Sequence, residues 1–257
     1  MSKLILTNKS YKASITLIVI LLSFTLLAQK KHVMHENQQW IEYSNLSLLS
    51  NKFRLQTNAG LRWNDSFRQK SLKFVRTSLG YQMHPDILIS GGLTLVRSYS
   101  ENQLNKTEIR PYEEVLMNRY YNKLRIQHRF RAEQRFLKYT DTNLHGFHHR
   151  LRYRFMLRWP VYANSSDINS KNLTINIGDE VYLNAGKEIT DNIFDQNRIL
   201  IGPSFQFNQK FAITLLYIQK FSKLDLPSDF EQDDIVNLTV RHTFNFTKKK
   251  YHSKIDS

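Results

Sequence analysis

Residues 123–158, KLRIQHRFRAEQRFLKYTDTNLHGFHHRLRYRFMLR, decide how this chain folds. Charged and amide side chains recur at every second position from Lys123 to Arg135, and mostly apolar side chains stand between them. The alternation resumes from His148 to Arg158. Successive side chains of a strand point to opposite faces, so this stretch predicts two neighbouring strands with a basic face and an apolar, aromatic face. A helix would scatter the same arginines around its circumference.

The basic face limits the surroundings that these strands can have. Residues 119–158 hold eleven lysines or arginines and only two acids, Glu133 and Asp141. A soluble sheet could pack its apolar face on a core. A membrane barrel would turn that face to lipid and enclose the charged face in a lumen.

Composition favours one large folded unit. The chain has 257 residues, of which 41% are hydrophobic and 12% aromatic, and it has no cysteine. It is long enough for one large domain or one barrel, and it is too apolar to be disordered. The absence of cysteine excludes a disulfide framework, a thiolate metal site and a lipoprotein anchor.

The first 28 residues resemble a secretory signal. Lys3, Lys9 and Lys12 precede an uncharged run of fourteen residues, 15–28. This run fits a signal core of roughly 7–15 residues and is shorter than the ~18 residues of a spanning helix. We therefore predict cleavage after Ala28 and export, with a buried or anchoring helix as the alternative. No later segment is apolar enough to span as a helix, so membrane insertion would require a barrel.

The positive charge indicates anionic partners. The formal net charge is +15, which in many proteins points to nucleic acid. Export argues against nucleic acid. It favours outer-membrane lipid head groups, lipopolysaccharide or a small anionic solute as the counter-charge.

From Gln38 onward, stretches with period two are separated by polar turns. Most are roughly 10–14 residues long, which suits strands that cross a bilayer at a tilt. A secreted soluble β-sandwich is the alternative, but its strands would be shorter. The predicted strands other than the central pair are 40–48, 53–63, 72–84, 87–99, 107–119, 173–184, 193–207, 210–221 and 235–246.

Connection lengths give a second argument for a membrane barrel. Long connections, such as 64–71 and 100–106, alternate with short ones, such as 84–86, as in bacterial outer-membrane barrels with an even strand count. Because Glu113 and Glu114 are adjacent, both cannot face a lumen, and we expect one of them at a rim or a bulge.

The predicted fold is all-β, an antiparallel up-and-down transmembrane β-barrel of about 10–12 strands. Residues 1–28 would be the signal peptide and 29–37 an N-terminal segment. Residues 38–246 would form the barrel and 247–257 a basic C-terminal tail.

Several blocks resemble a family labelled domain of unknown function 2490. They are Trp40 in the first strand, RFRAEQRF at 129–136 followed by RLRYR at 150–154, and DEVYLN at 179–184 followed by DQNR at 195–198. The resemblance covers about residues 38–246. It implies a small barrel in the outer membrane of a Gram-negative bacterium and implies no activity.

One candidate site is a cluster of charges on the lumen side of the strands. The cluster comprises Arg129, Arg131, Glu133, Arg135, Arg150, Arg152, Arg154, Glu180 and Arg198. It could be a salt-bridged plug, because arginine binds carboxylates with two hydrogen bonds. It could instead be an anion-selective constriction.

We predict no catalytic, cofactor-binding or metal-ligating residue. His145, His148 and His149 lie beside a predicted outer loop, and the last two would point to opposite faces. An outer-rim hydrolase could be assembled from His148, Asp141 and Asp191, but no spacing supports it.

The functional hypotheses are therefore a narrow anion-preferring channel or a structural or interaction barrel. A barrel enzyme acting on lipid or lipopolysaccharide and a secreted β-sandwich are the alternatives. The sequence does not indicate an oligomeric state.

Overall fold

The computed structural model describes residues 32–163, 171–186, 193–223 and 229–247, and nearly all of them belong to one compact unit, Val33–Ser257. No helix in these ranges is long and apolar enough to cross a membrane. The strands are β1 (His32–Leu48), β2 (Phe53–Asn64), β3 (Gln69–His84), β4 (Ile87–Ser100), β5 (Gln103–Tyr121), β6 (Leu124–Tyr139), β7 (His145–Ala163), β8 (Asn172–Ala185), β9 (Phe194–Gln206), β10 (Phe211–Lys223) and β11 (Asp229–Asn245).

These eleven strands form a closed barrel. Each strand pairs antiparallel with the next, and β1 and β11 are neighbours at the seam. An odd number of alternating strands makes β1 and β11 run in the same direction. At the seam the Phe246 amide donates to the Leu48 carbonyl at 2.8 Å, and a His242 ring nitrogen lies 3.1 Å from the Tyr43 hydroxyl.

The prediction of an all-β barrel with 10–12 strands is confirmed. The expected even count and fully antiparallel order are wrong. The reason is β1, which pairs with both β2 and β11, closes the sheet and brings the number of strands to eleven. β1 begins at His32, before the expected barrel start at residue 38. The predicted signal peptide and residues 248–257 of the predicted tail lie outside the described residues.

The connections fall into two sets at opposite ends of the barrel. We call the end at which β1 begins the N-terminal rim and the end at which β11 ends the C-terminal rim. The N-terminal rim carries the turns 65–68, 101–102 and 140–144, together with the β8–β9 and β10–β11 connections. The C-terminal rim carries the turns 49–52, 85–86, 122–123 and 207–210, together with the β7–β8 connection.

Two predicted long loops are short. The expected loop 100–106 is a two-residue turn at Glu101 and Asn102, whose φ angles of 50° and 64° are typical of a tight type I′ hairpin. The expected loop 64–71 shrinks to residues 65–68. Strand pairing needs backbone groups and not apolar side chains, so β5 continues through polar sequence for 19 residues. The two rims therefore differ less in loop length than predicted.

The two faces of the wall follow the predicted alternation. On β6 the odd-numbered positions from Gln127 to Arg135 are buried in the lumen, whereas Phe130 and Phe136 are 45% and 49% exposed on the outside. On β5 Glu114 faces the lumen. Glu113 faces outward without a bulge and accepts a hydrogen bond of 3.1 Å from Gln134.

Two inward glycines make room for aromatic rings in the lumen. A Cβ added at Gly60 would lie 2.4 Å from the Phe74 ring. A Cβ added at Gly92 would lie 2.3 Å from the Thr77 carbonyl oxygen and 2.9 Å from the Tyr112 ring. Real Cβ atoms do not come so close to backbone, so these rings lie where a side chain would otherwise stand.

Replacing Gly92 by Val should therefore destabilise the barrel by about 1–3 kcal/mol, because the Tyr112 ring and the β3 backbone must move. Gly91→Val is the matched control. Its Cβ would point outward, where the Tyr112 carbonyl oxygen, at 4.0 Å, is the nearest atom of the described residues apart from its chain neighbours. Urea unfolding followed by tryptophan fluorescence gives both midpoints, and equal losses in the two variants would contradict this account.

Candidate functional site in the lumen

All nine residues of the predicted charge cluster face the lumen. Arg129, Arg131, Glu133, Arg135, Arg150 and Glu180 are buried, and Arg152, Arg154 and Arg198 are half-buried. They lie on four consecutive strands, β6 to β9, at facing positions of the strand register. The period-two pattern therefore identified which side chains share the interior.

Glu133 is the acceptor for three of these arginines. Its Oε2 accepts a hydrogen bond of 2.6 Å from Arg150, directly opposite on β7. Its Oε1 accepts a hydrogen bond of 2.6 Å from Arg152 and lies 3.7 Å from the Nη1 of Arg131. Charge-assisted hydrogen bonds of this kind are stronger than neutral ones, and they leave little of the carboxylate unpaired.

Glu180 forms the second junction, on β8. Its Oε1 accepts hydrogen bonds from Arg152 at 2.7 Å and from Arg129. Arg152 also donates to the Tyr182 hydroxyl at 2.9 Å. Arg152 thus links the two central carboxylates, so removing either one disturbs the other.

Three further acids complete the network, and the sequence did not single them out. Glu108 accepts from Arg135 at 2.9 Å and from Arg110 at 2.6 Å. Glu114 accepts from the Nε of Arg131 at 2.7 Å. The third acid, Asp195 on β9, accepts a hydrogen bond of 3.2 Å from Arg150. Glu108 and Glu114 stand at alternate positions of β5 with Tyr112, and this alternation could have identified them as lumen-facing. The adjacent pair Glu113 and Glu114 made the direction of this strand's side chains ambiguous in the sequence.

Asp195 extends the network to β9. Its Oδ2 lies 3.2 Å from the Nη1 of Arg150. By contrast, Arg154 and Arg198 have no carboxylate of the described residues within 4 Å, and their Nε atoms are buried without a hydrogen-bond partner. The cluster therefore has ion pairs around Glu133 and Glu180, whereas Arg154 and Arg198 interact with Glu180 only at longer range.

A ring of alternating arginine and aromatic side chains lines the lumen, and we call it the arginine–aromatic belt. Its aromatic members are 6% exposed or less. The belt consists of Trp40, Arg62, Phe74, Arg76, Tyr112, Arg131, Arg152, Tyr182 and Arg198.

One half of the belt runs from β7 to β2. The guanidinium carbons of Arg152 and Arg198 lie 4.3 and 4.7 Å from the centre of the Tyr182 ring. The guanidinium carbons of Arg198 and Arg62 lie 5.0 and 3.7 Å from the centre of the Trp40 ring. Each distance is within the ~6 Å at which a cation is attracted to an aromatic face.

The other half returns through β3 and β5. Arg62 lies 5.6 Å from the Phe74 ring, and Arg76 lies 5.3 Å from the same ring. Arg76 and Arg131 then lie 5.9 and 4.3 Å from the Tyr112 ring.

Glu133 closes the belt because it binds both Arg131 and Arg152. Arg198 belongs to β9 and Trp40 to β1, so their contact passes over β10 and β11 and occupies the lumen. The belt is therefore a layer of packed side chains within the barrel, and it gives buried guanidinium groups favourable neighbours where carboxylates are too few.

His148 and His149 point to opposite faces of β7, as the alternation predicts. His148 faces inward with its Nε2 2.9 Å from the Nη1 of Arg135, whereas His149 is exposed, and Asp191 lies outside the described residues. Glu36, Glu231 and Asp233 are close enough to hold a cation, but the Lys220 ammonium already binds two of these carboxylates, Glu231 at 3.0 Å and Asp233.

Comparison with protein families identifies a relationship over most of the chain. A family model described as a protein of unknown function (DUF2490) matches residues 37–230. The matched range contains all the members of the belt and all nine residues of the charge cluster. No curated protein matches the chain.

Because Glu133 holds three guanidinium groups, Glu133→Ala should lower the free energy of unfolding by roughly 3–5 kcal/mol. Glu113→Ala is the control, since it removes a carboxylate from the outer face of the neighbouring strand β5 and should change stability by about 0.5 kcal/mol or less. Denaturant midpoints of the two variants measure the difference. Similar losses would mean that the ion pairs do not hold the barrel together.

Proposed function

The chain belongs to the DUF2490 family of proteins of unknown function, and from this premise we propose that it is a barrel of the bacterial outer membrane whose lumen is closed to solutes. It would serve as a structural barrel or bind a partner. The observation that supports this proposal is the inverted distribution of polarity, with charged side chains inside the barrel and apolar side chains outside.

The outer wall supports lipid as the surrounding medium. Leu95, Leu151, Ile199 and Val236 lie on four different strands, and each is about half exposed. Monomeric soluble proteins rarely expose a continuous apolar surface of this extent. Transfer to lipid would stabilise such a surface by roughly 25 cal/mol per Å².

Aromatic side chains near both rims support the same placement. Tyr120, Tyr121 and Trp159 are exposed near the C-terminal rim, and Trp63 and Phe67 are in ring contact at the N-terminal rim, with ring centres 5.4 Å apart. Tyrosine and tryptophan favour membrane–water interfaces because their rings are apolar and their polar groups reach water.

A shallow outer groove supports a lipid partner. The groove has a volume of about 590 Å³, and its walls include Ile41, Leu61 and Leu95. Lys73 and Arg97 are cross-strand neighbours at its edge, and both side chains are exposed. Two cations beside an apolar groove suit the anionic head group and acyl chains of a lipid such as lipopolysaccharide.

The closed lumen favours a structural role over conduction. The arginine–aromatic belt and the ion pairs on Glu133 and Glu180 occupy the interior from several strands at once. A narrow anion-preferring channel remains the second candidate, because Arg154 and Arg198 lie in the lumen without carboxylates within 4 Å among the described residues.

Fractionation of expressing cells tests the location. We expect the protein in the outer-membrane fraction, with a gel mobility that differs between boiled and unboiled samples, since a closed barrel resists unfolding by the detergent of the gel. Recovery from the soluble fraction without detergent would contradict the proposal. It would favour a secreted β-protein.

Planar-bilayer recording tests the closed lumen. Wild-type protein should show no stepwise conductance, and Trp40→Ala should create one because it removes the largest ring of the belt. Trp63→Ala, on the outward face of β2, is the matched control and should remain silent. A stepwise anion current in the wild type, lowered by Arg154→Gln, would favour the channel instead.

A further inference from the structure

The two halves of the lumen differ in charge. In the half toward the N-terminal rim, lumen-facing carboxylates such as Glu108, Glu133 and Glu180 bind arginines within hydrogen-bonding distance. Toward the C-terminal rim lies a second group of lumen-facing arginines, and we call it the basic chamber. It consists of Arg54, Arg125, Arg158 and Arg241, and none of them forms an ion pair with a described carboxylate.

The core of the basic chamber is a pair of opposed arginines. Arg125 on β6 and Arg158 on β7 are direct cross-strand partners. Like charges in this arrangement repel each other and destabilise a sheet. Because the strand register keeps the two guanidinium groups opposite each other, another interaction must offset their repulsion.

Neutral amides orient this pair without neutralising it. Arg125 Nε donates to the Asn118 Oδ1 at 2.9 Å, and an Arg158 terminal nitrogen donates to the Gln127 Oε1 at 3.2 Å. Gln127 in turn donates to Asn118 at 3.0 Å, and both amides are buried. The amides fix the direction of the guanidinium groups and leave both positive charges in place.

Two other strands bring further positive charge. Arg54 on β2 donates to the Gln82 side chain, and Arg241 lies on β11 at the end of that strand. Arg125 interacts electrostatically with each of the other three guanidinium groups of the chamber. The four charges thus converge from β2, β6, β7 and β11.

An acid in a turn at this rim has other partners, and a buried Arg158 nitrogen has no hydrogen-bond partner among the described residues. Asp86, in the β3–β4 turn, lies 3.6 Å from Arg119, whose side chain is outward, and 3.8 Å from His84. Within the chamber, the Nε of Arg158 is buried and has no hydrogen-bond partner among the described residues. An unpaired buried donor of this kind is costly, and it adds to the cost of the unpaired charges at this rim.

We propose that the basic chamber is a binding site for a phosphate-bearing anion. Phosphate carries up to two negative charges and several acceptor oxygens, which match guanidinium groups that donate pairs of parallel hydrogen bonds. The anion would offset the repulsion between Arg125 and Arg158, whose positive charges the neutral amides leave in place. This inference requires the barrel but not the membrane around it, so it can fail or hold independently of the proposed location.

Isothermal titration of the purified, folded protein with inorganic phosphate tests the site, at constant ionic strength in chloride. We expect saturable binding, weakened about tenfold or more in the double variant Arg125→Gln, Arg158→Gln, because the variant loses two guanidinium groups that donate charge-assisted hydrogen bonds to phosphate. Arg119→Gln is the matched control, since it removes an outward arginine from the same end of the barrel and should bind as the wild type does.

Stability without phosphate provides a second readout. Glutamine at Arg125 or Arg158 relieves repulsion, so each variant should be at least as stable as the wild type in chloride and should lose the stabilisation that phosphate adds. Absence of saturable phosphate binding would overturn the proposal. Equal responses to phosphate in wild type and double variant, or to chloride and phosphate in the wild type, would overturn it too.

The same assay separates two sources of the phosphate group. A short-chain phosphatidylglycerol that displaces inorganic phosphate, where short-chain phosphatidylcholine does not, would assign the site to an anionic lipid head group. Displacement by neither lipid, with inorganic phosphate still bound, would assign it to a free phosphate solute. Both results uphold the anion site.

Discussion

The need to bury guanidinium groups governs the interior of this barrel. Desolvating a charge is expensive unless it is paired or hydrogen-bonded, and the lumen of β6 to β9 contains more arginines than acids. Glu133 and Glu180 pair with the arginines that they reach, and arginines beyond their reach, such as Arg62 and Arg198, lie against aromatic rings. Gly60 and Gly92 make this packing possible, because the Phe74 and Tyr112 rings occupy the space that side chains at these two positions would fill.

Alternation in the sequence was sufficient to predict the strands, the two faces and the membership of the lumen cluster. It could not predict the pairing, since partners such as Glu108 and Asp195 come from strands whose registers depend on the whole sheet. The belt was missed for a related reason. Trp40 and Arg198 are far apart in the chain, and only closure of the barrel brings them together. Loop lengths were misjudged because polar residues at 103–106 extend β5.

The lumen also differs along its axis, and this difference follows from where the acids fall in each strand. Glu133 lies in the middle of β6, and no acid occurs between that position and the C-terminal rim on this strand. The same strand therefore contributes both to a neutralised layer and to a chamber with excess positive charge. A single pattern of alternating arginines thus serves two electrostatic environments.

The parallel seam between β1 and β11 has a kinetic consequence. The other ten strand pairs join neighbours in the chain and can form as local hairpins, but the seam joins residues such as Tyr43 and His242, which are 199 positions apart. Contacts of such high separation form slowly, because the entropy of closing a long loop must be overcome first. The seam is therefore expected to close last, after a curved open sheet has been assembled hairpin by hairpin.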